Sequence, residues 1–198
     1  MRLTLILPYY RNIAMLERQA DEWERYPEQL HVIVVDDGSP EPALDFIRGS
    51  RASVYRIQED IPWNRNGARN LGTHVAETPL ILHTDIDHLL PADQATALCS
   101  THLDPEEWYK FRRFPRGAAD ETRQKDDLSP TCEYGEIKPH IDSFLCAPTR
   151  YWQAGGYDER YSGSLGGSAP FLGHMHAFGP PIVLDVYLEV FTRAVIRD

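Results

Sequence analysis

Asp85-Ile86-Asp87 sets two carboxylates one residue apart, just after the apolar run Leu80-Ile81-Leu82. On an extended segment the side chains at i and i+2 point to the same side, so Asp85 and Asp87 can converge on one cation while Ile86 turns into the core. Hard divalent cations take oxygen ligands of this kind, and an ion held this way can carry a diphosphate. Asp-x-Asp is common in soluble domains, so its meaning depends on the elements that present it.

Those elements alternate. Leu3 to Leu7 is an apolar run of strand formers stopped by Pro8, which cannot continue a central ladder. Ile13, Leu16, Ala20 and Trp23 recur at steps of three and four with charged residues between them, the pattern of an amphipathic helix, which Pro27 closes. His31 to Val35 reads as a second strand, and Asp36-Asp37-Gly38-Ser39-Pro40 ends it with turn chemistry. A short helix over Ala43 to Ile47, a strand over Ser53 to Ile57, a loop over Asp60 to Asn66, a helix from near Gly67 and a strand over Pro79 to His83 follow. Alternation of this kind predicts an α/β fold, a mostly parallel central sheet flanked by helices, in which ligands bind beyond the carboxyl ends of the strands. Both acidic pairs, Asp36-Asp37 and Asp85-Asp87, fall at such ends.

The second half has a different texture. Trp108 to Phe114 and Ser143 to Ala147 read as strands, Gly117 to Lys138 as a long polar loop over one face, where an acceptor would bind. Arg150 to Ala154 reads as helical, Gly155-Gly156-Tyr157-Asp158-Glu159 as a turn, Gly163 to Gly179 as a glycine-rich loop with His174 and His176, and Ile182 to Ile196 as a closing hairpin or long strand.

Composition bounds the remaining choices. At 198 residues, 42% hydrophobic and 25% charged, a single domain over 1–198 with one sizeable core is expected. No apolar stretch nears the roughly 18 residues of a membrane span, and the start, too short for a secretory leader, reads as a first strand. Cys99, Cys132 and Cys146 form no metal spacing, so free buried thiols and the cytoplasm are expected. A net charge of −10 argues mildly against nucleic acid as the main partner. Lys110, Arg112, Arg113 and Arg116 could form a local basic patch, but such a run reads first as a solvated face.

Five blocks taken together carry a resemblance: Pro8-Tyr9-Tyr10-Arg11-Asn12, Val34-Val35-Asp36-Asp37-Gly38-Ser39, Asn66-Gly67-Ala68-Arg69-Asn70, Asp85-Ile86-Asp87 and Gly155-Gly156-Tyr157-Asp158-Glu159. In order and approximate spacing the chain resembles the family 2 glycosyltransferases of GT-A fold, from residue 3 to about residue 160. The resemblance implies a nucleotide-sugar-binding half over 1–100 and an acceptor-side half, with a small β-rich C-terminal part, over 101–198. It implies that Pro8 and Tyr10 line the nucleotide pocket and that Asp37, with Asp36 beside it, hydrogen-bonds the base or ribose of a nucleotide-diphosphate sugar, most often a uridine diphosphate sugar. Arg69 would approach the diphosphate or hold the Asp pair, and Asn70 would brace its loop. Asp87, and Asp85 through the ion or the ribose, would hold Mn²⁺ or Mg²⁺, with His174 or His176 as a further ligand tilting the choice to Mn²⁺.

The implied activity is sugar transfer to a glycan or other hydroxyl acceptor, with inversion. The pattern departs where such enzymes present an acidic residue as general base: Ser162 to Ala169 holds no carboxylate. Asp158 and Glu159 are the nearest substitutes, with His140, Asp142, His174 and His176 behind them. A nucleotide-sugar or glycan-binding module without turnover is the alternative. A nucleotidyltransferase would want a glycine-rich loop after strand one, and Tyr9 to Asn12 offers no glycine.

Overall fold

The first strand, β1 (Leu3–Tyr9), buries every residue except the half-buried Pro8, as a strand covered on both faces by helices must. It pairs in parallel with β2 (Leu30–Asp36) and with β4 (Leu80–His83), and β2 pairs in parallel with β3 (Ala52–Arg56). Side chains alternate between the two faces. Leu5, Leu7, Val32, Val34 and Leu82 pack on one, while Ile6 and Ile81 meet Phe144, Tyr151, Tyr157 and Phe171 on the other. The computed structural model describes residues 1–115, 137–163 and 166–191.

Helices α1 (Ile13–Trp23), α2 (Ala43–Phe46) and α3 (Arg65–Val75) connect the parallel strands. Asn12 caps α1 by accepting from the Met15 N–H at 3.2 Å. Gly72 lets α3 lie directly on β1: a Cβ there would stand 2.4 Å from Ile6 Cγ2.

The later strands extend the same sheet as its second wing. β5 (His88–Leu89), β6 (Tyr109–Pro115), β7 (Phe144–Cys146) and β8 (Ile182–Val190) complete the order β3-β2-β1-β4-β7-β6-β8-β5. β7 runs antiparallel to β4 and β6, and β5 antiparallel to β8, while β8 runs parallel to β6. The sheet is therefore parallel through its first four strands and mixed beyond them.

Ala92–Ser100 is a helix, α4, which packs Ala95, Leu98 and Cys99 inward. Three expectations change. After α5 (Pro148–Gln153) the glycine-rich stretch contains α6 (Ser168–His176), because Phe171 and Met175, one turn apart, are buried against the second face of the sheet. Lys110 and Arg113 are buried, not solvated: Lys110 Nζ donates to the His140 and Ile141 carbonyls at 2.8 and 2.7 Å. Asp85 to His88 forms a turn, closed by the His88 N–H on the Asp85 carbonyl at 3.0 Å, where an extended segment was expected. Cys99 and Cys146 are buried free thiols. Arg116, Cys132, the loop up to residue 136, Ser164, Leu165 and the chain beyond 191 lie outside the described residues.

Candidate functional site

The turn after β4 gives each acid of the Asp85-Ile86-Asp87 pair its own partners, while Ile86 packs toward the core. Asp85 Oδ1 accepts from Arg69, a fully buried arginine on α3 whose guanidinium lies 5.3 Å over the Tyr157 ring. Burial alone would raise the Asp85 pKa; the Arg69 charge, with His140, brings it below the usual carboxylate range. Asp87 Oδ1 accepts from His88 Nδ1 at 2.6 Å. Burial opposes the ionisation of Asp87 as well, and the His88 hydrogen bond holds its pKa down. Arg69 Nε and Nη1 are buried and have no hydrogen-bond partner.

His140, on the segment entering β7, completes this corner. Its ring stacks on His88 at 4.3 Å, its Nδ1 meets Ser143 Oγ at 3.0 Å, and its Nε2 lies 3.6 Å from Asp85 Oδ2. Burial pushes its pKa down to about 4, so the imidazole is neutral near pH 7 and offers a lone pair. Asp85, His140 and Asp142 each present one ligand atom within 4.8 Å of the others. Asp142 is already occupied: it accepts from Tyr157 Oη at 2.8 Å, Ser168 Oγ at 3.0 Å and Arg65 Nη1 at 3.3 Å. Asp85 Oδ2 and His140 Nε2 are thus an oxygen and an imidazole donor, a pairing that fits Mn²⁺ or Mg²⁺; Asp87, one-third exposed, lies outside that three-residue group. His174 binds the Ala154 carbonyl at 2.9 Å and His176 packs edge-on against Trp108; neither joins this group.

The acids at the end of β2 divide sharply. Asp36 is fully buried and spent on its own turn, accepting from the Ser39 and Ala43 N–H groups at 2.8 and 2.9 Å and from Arg56 at 3.3 Å. Asp37 is 5% exposed, its Oδ1 has no partner, and burial pushes its pKa up to about 7 against hydrogen bonds from Asn64. Beside it Tyr10, 40% exposed, donates to Asp60 at 3.1 Å, with the Arg11 guanidinium 4.9 Å over its ring. Arg11 and Trp63, the described non-glycine residues at positive φ (61° and 53°), lie on the two loops that flank Asp37. Such backbone strain concentrates at functional sites.

Helix α3 also fixes the loop after α5. Asn70 uses all four of its hydrogen-bonding positions: Oδ1 accepts from Tyr151 Oη and the Tyr157 N–H at 2.6 and 3.1 Å, and Nδ2 donates to the Tyr157 carbonyl and Glu159 Oε1 at 2.9 and 2.7 Å. Gly156, at φ 64°, passes so close that a Cβ would meet Asn70 Oδ1 at 3.1 Å and the Trp152 ring at 2.9 Å. Asp158 caps the short turn Glu159–Tyr161 and pairs with Arg160, which holds its pKa low. Glu159 is exposed and engaged by Asn70 through one oxygen.

Arg65 and Arg113 were not legible as site residues from the sequence, although each is anchored to an acid or a histidine of the site. For Arg113 the strand pattern gave no signal, because β6 buries Lys110 as well as Tyr109 and Phe111.

The family model described as glycosyltransferase like family 2 matches residues 11–103. Validoxylamine A glucosyltransferase of Streptomyces hygroscopicus subsp. limoneus is 23% identical over 230 residues, covering 92% of this chain and 49% of the relative. The protein of the same name from subsp. jinggangensis (strain 5008) is also 23% identical, covering 92% and 53%. The chain thus spans about half the length of the curated relatives it matches. Among solved structures, S. aureus TarS 1-349 superposes with a TM-score of 0.72 at 14% identity, covering 99% of this chain and 62% of that one. The same protein in complex with UDP-GlcNAc gives 0.69 at 14%, with 98% and 59% covered. The mannosyltransferase PcManGT from Pyrobaculum calidifontis, in complex with GDP-Man and Mn²⁺, gives 0.64 at 17%, with 95% and 56% covered. The shared fold is that of the GT-A glycosyltransferases.

Proposed function

We propose that the chain is a family 2 glycosyltransferase that moves a sugar from a nucleotide-diphosphate sugar to an acceptor hydroxyl, with inversion. The observation that carries the reading is the spacing of two unlike acids across the sheet. Asp37, whose Oδ1 has no partner, follows β2, the Asp85–Asp87 turn follows β4, and β1 lies between the two strands. Two strand spacings are about 10 Å, which suits a nucleobase at one acid and its diphosphate at the other.

In this reading Asp37 accepts the ring N–H of the base, Tyr10 and Pro8 flank it, and Asp36 holds the loop that presents Asp37. Asp87, Asp85 and His140 would hold Mn²⁺ or Mg²⁺; when bound, such an ion neutralises charge on the departing nucleoside diphosphate. Arg69 keeps Asp85 ionised. Uracil and guanine both offer a ring N–H to a carboxylate, consistent with the UDP-GlcNAc and GDP-Man held by the structural relatives; a UDP-sugar is the proposed donor. Glu159 takes the acceptor's proton, because Asp158 is committed to its cap and to Arg160. The acceptor is a glycan or another hydroxyl compound. No helix among the described residues is long and apolar enough to cross a membrane, and the free thiols Cys99 and Cys146 support a reducing compartment, the cytoplasm.

The test is to incubate the protein with UDP-glucose, UDP-GlcNAc and GDP-mannose with Mn²⁺ or with chelator, following nucleoside diphosphate release and the thermal midpoint. Metal-dependent release from one donor is expected. Metal-dependent stabilisation without release would favour the binding-module alternative, which the carboxylate-free stretch Ser162 to Ala169 keeps open. No metal-dependent change with any donor contradicts the proposal.

A further inference from the structure

The Asp87 carboxylate stands at the end of a buried chain of hydrogen bonds that runs back to β6. Arg113, 7% exposed, reaches His88 with Nη1 2.8 Å from Nε2, and His88, 2% exposed, meets Asp87 Oδ1 through Nδ1 at 2.6 Å. A guanidinium has no acceptor. His88 Nε2 must therefore carry the lone pair, so the ring proton sits on Nδ1 and is donated to Asp87. Arg113 is itself oriented by its Nε on the Lys138 carbonyl at 2.7 Å.

The backbone of the same turn is held as firmly. Gln19 Nε2 donates to the Ile86 and His88 carbonyls at 3.0 and 2.9 Å, and the Phe191 N–H donates to the Asp87 carbonyl at 2.9 Å. With main chain and Oδ1 both fixed, Asp87 keeps Oδ2 for a ligand in one orientation. The His140 ring against one face of His88 resists rotation of the imidazole that transmits this constraint.

We propose that His88, its tautomer set by Arg113, is a positioning residue that orients Asp87 toward the divalent cation. This rests on the reading of Asp87 as a cation ligand. Partners in this outer position fix ligand orientation in metal sites, and losing one typically costs about 10-fold to 100-fold in affinity. The side chains that separate this role from simple packing are amides: Asn offers an N–H at the place of Nδ1, Gln at the place of Nε2.

The experiment measures Mn²⁺ binding in the presence of UDP, from the electron paramagnetic resonance signal of free Mn²⁺, in the parent, Asp87→Ala, His88→Asn and His88→Gln. His88→Gln should bind about 10-fold more weakly, and His88→Asn should stay close to the parent. Equal affinities for the Asn and Gln variants would overturn the positioning role. Parent-like binding by Asp87→Ala would instead overturn the assignment of Asp87 as a ligand, whatever His88 does. Nitrogen-15 spectra of histidine-labelled parent protein give a reading free of any variant's folding: His88 should show a protonated Nδ1 and a bare Nε2, and the opposite tautomer would refute the chain of donors.

Discussion

Asp37, directly after β2 in the parallel half of the sheet, and Asp142, just before β7 in the mixed wing, are both buried acids at strand ends, yet the fold treats them in opposite ways. Asp142 is saturated by Tyr157, Ser168 and Arg65, and the Arg69 charge, with the Ser168 and Tyr157 hydrogen bonds, keeps it ionised against its burial. Asp37 keeps one buried oxygen with no partner and a pKa pushed up to about 7. A saturated acid is a structural joint. A buried acid left half-satisfied carries a cost in the free protein that a ligand with an N–H can offset. The wing thus supplies rigidity, and the parallel half supplies the vacant hydrogen-bonding position.

Removing the joint should have the largest effect. Asp142→Ala leaves Arg65 and Tyr157 Oη without their acid, and denaturant titration should show a loss of about 3 kcal/mol; a loss below about 1 kcal/mol would mean that Asp142 is no joint. Next comes the proton acceptor. Glu159→Gln should lower turnover about 100-fold with nucleotide affinity unchanged, and Asp158→Asn should lower it less; the reverse order moves the base to Asp158.

The smallest effect is expected at Asp37. Its folded-state pKa lies above the ordinary 3.8, at about 7, so the folded chain holds the proton more tightly than the unfolded one. Stability of the free protein should therefore fall as pH rises from about 4 through about 7. Asp37→Asn should remove that slope. UDP binding needs the ionised acid and should strengthen through the same interval. A flat binding profile between pH 6 and 8 contradicts the role given to Asp37.

The parallel half was largely legible in the sequence because its strands are buried on both faces and therefore written as unbroken apolar runs, as in Leu3 to Leu7 and Leu80 to Leu82. The wing was harder. Six glycines between Gly155 and Gly173 dilute the helical signal of α6, whose evidence in the chain reduces to Phe171 and Met175 one turn apart. Lys110 and Arg113 suggested solvent by their charge, whereas both are buried along β6 by partners that arrive from distant segments. At the site, the sequence located Asp85 and Asp87 but not their geometry, since the extended reading missed the turn closed by the His88 N–H. Nor could spacing show which distant groups arrive: Arg69 on Asp85, Arg113 on His88 and His140 beside Asp85 each depend on how separate elements pack.

The most direct test of the donor site is calorimetric titration of UDP into the parent and Asp87→Ala, each with and without Mn²⁺. The account predicts binding by the parent that depends on Mn²⁺ and is lost in Asp87→Ala while the variant keeps its fold. Equal UDP binding by the two proteins, or binding by the parent that ignores the metal, would contradict it.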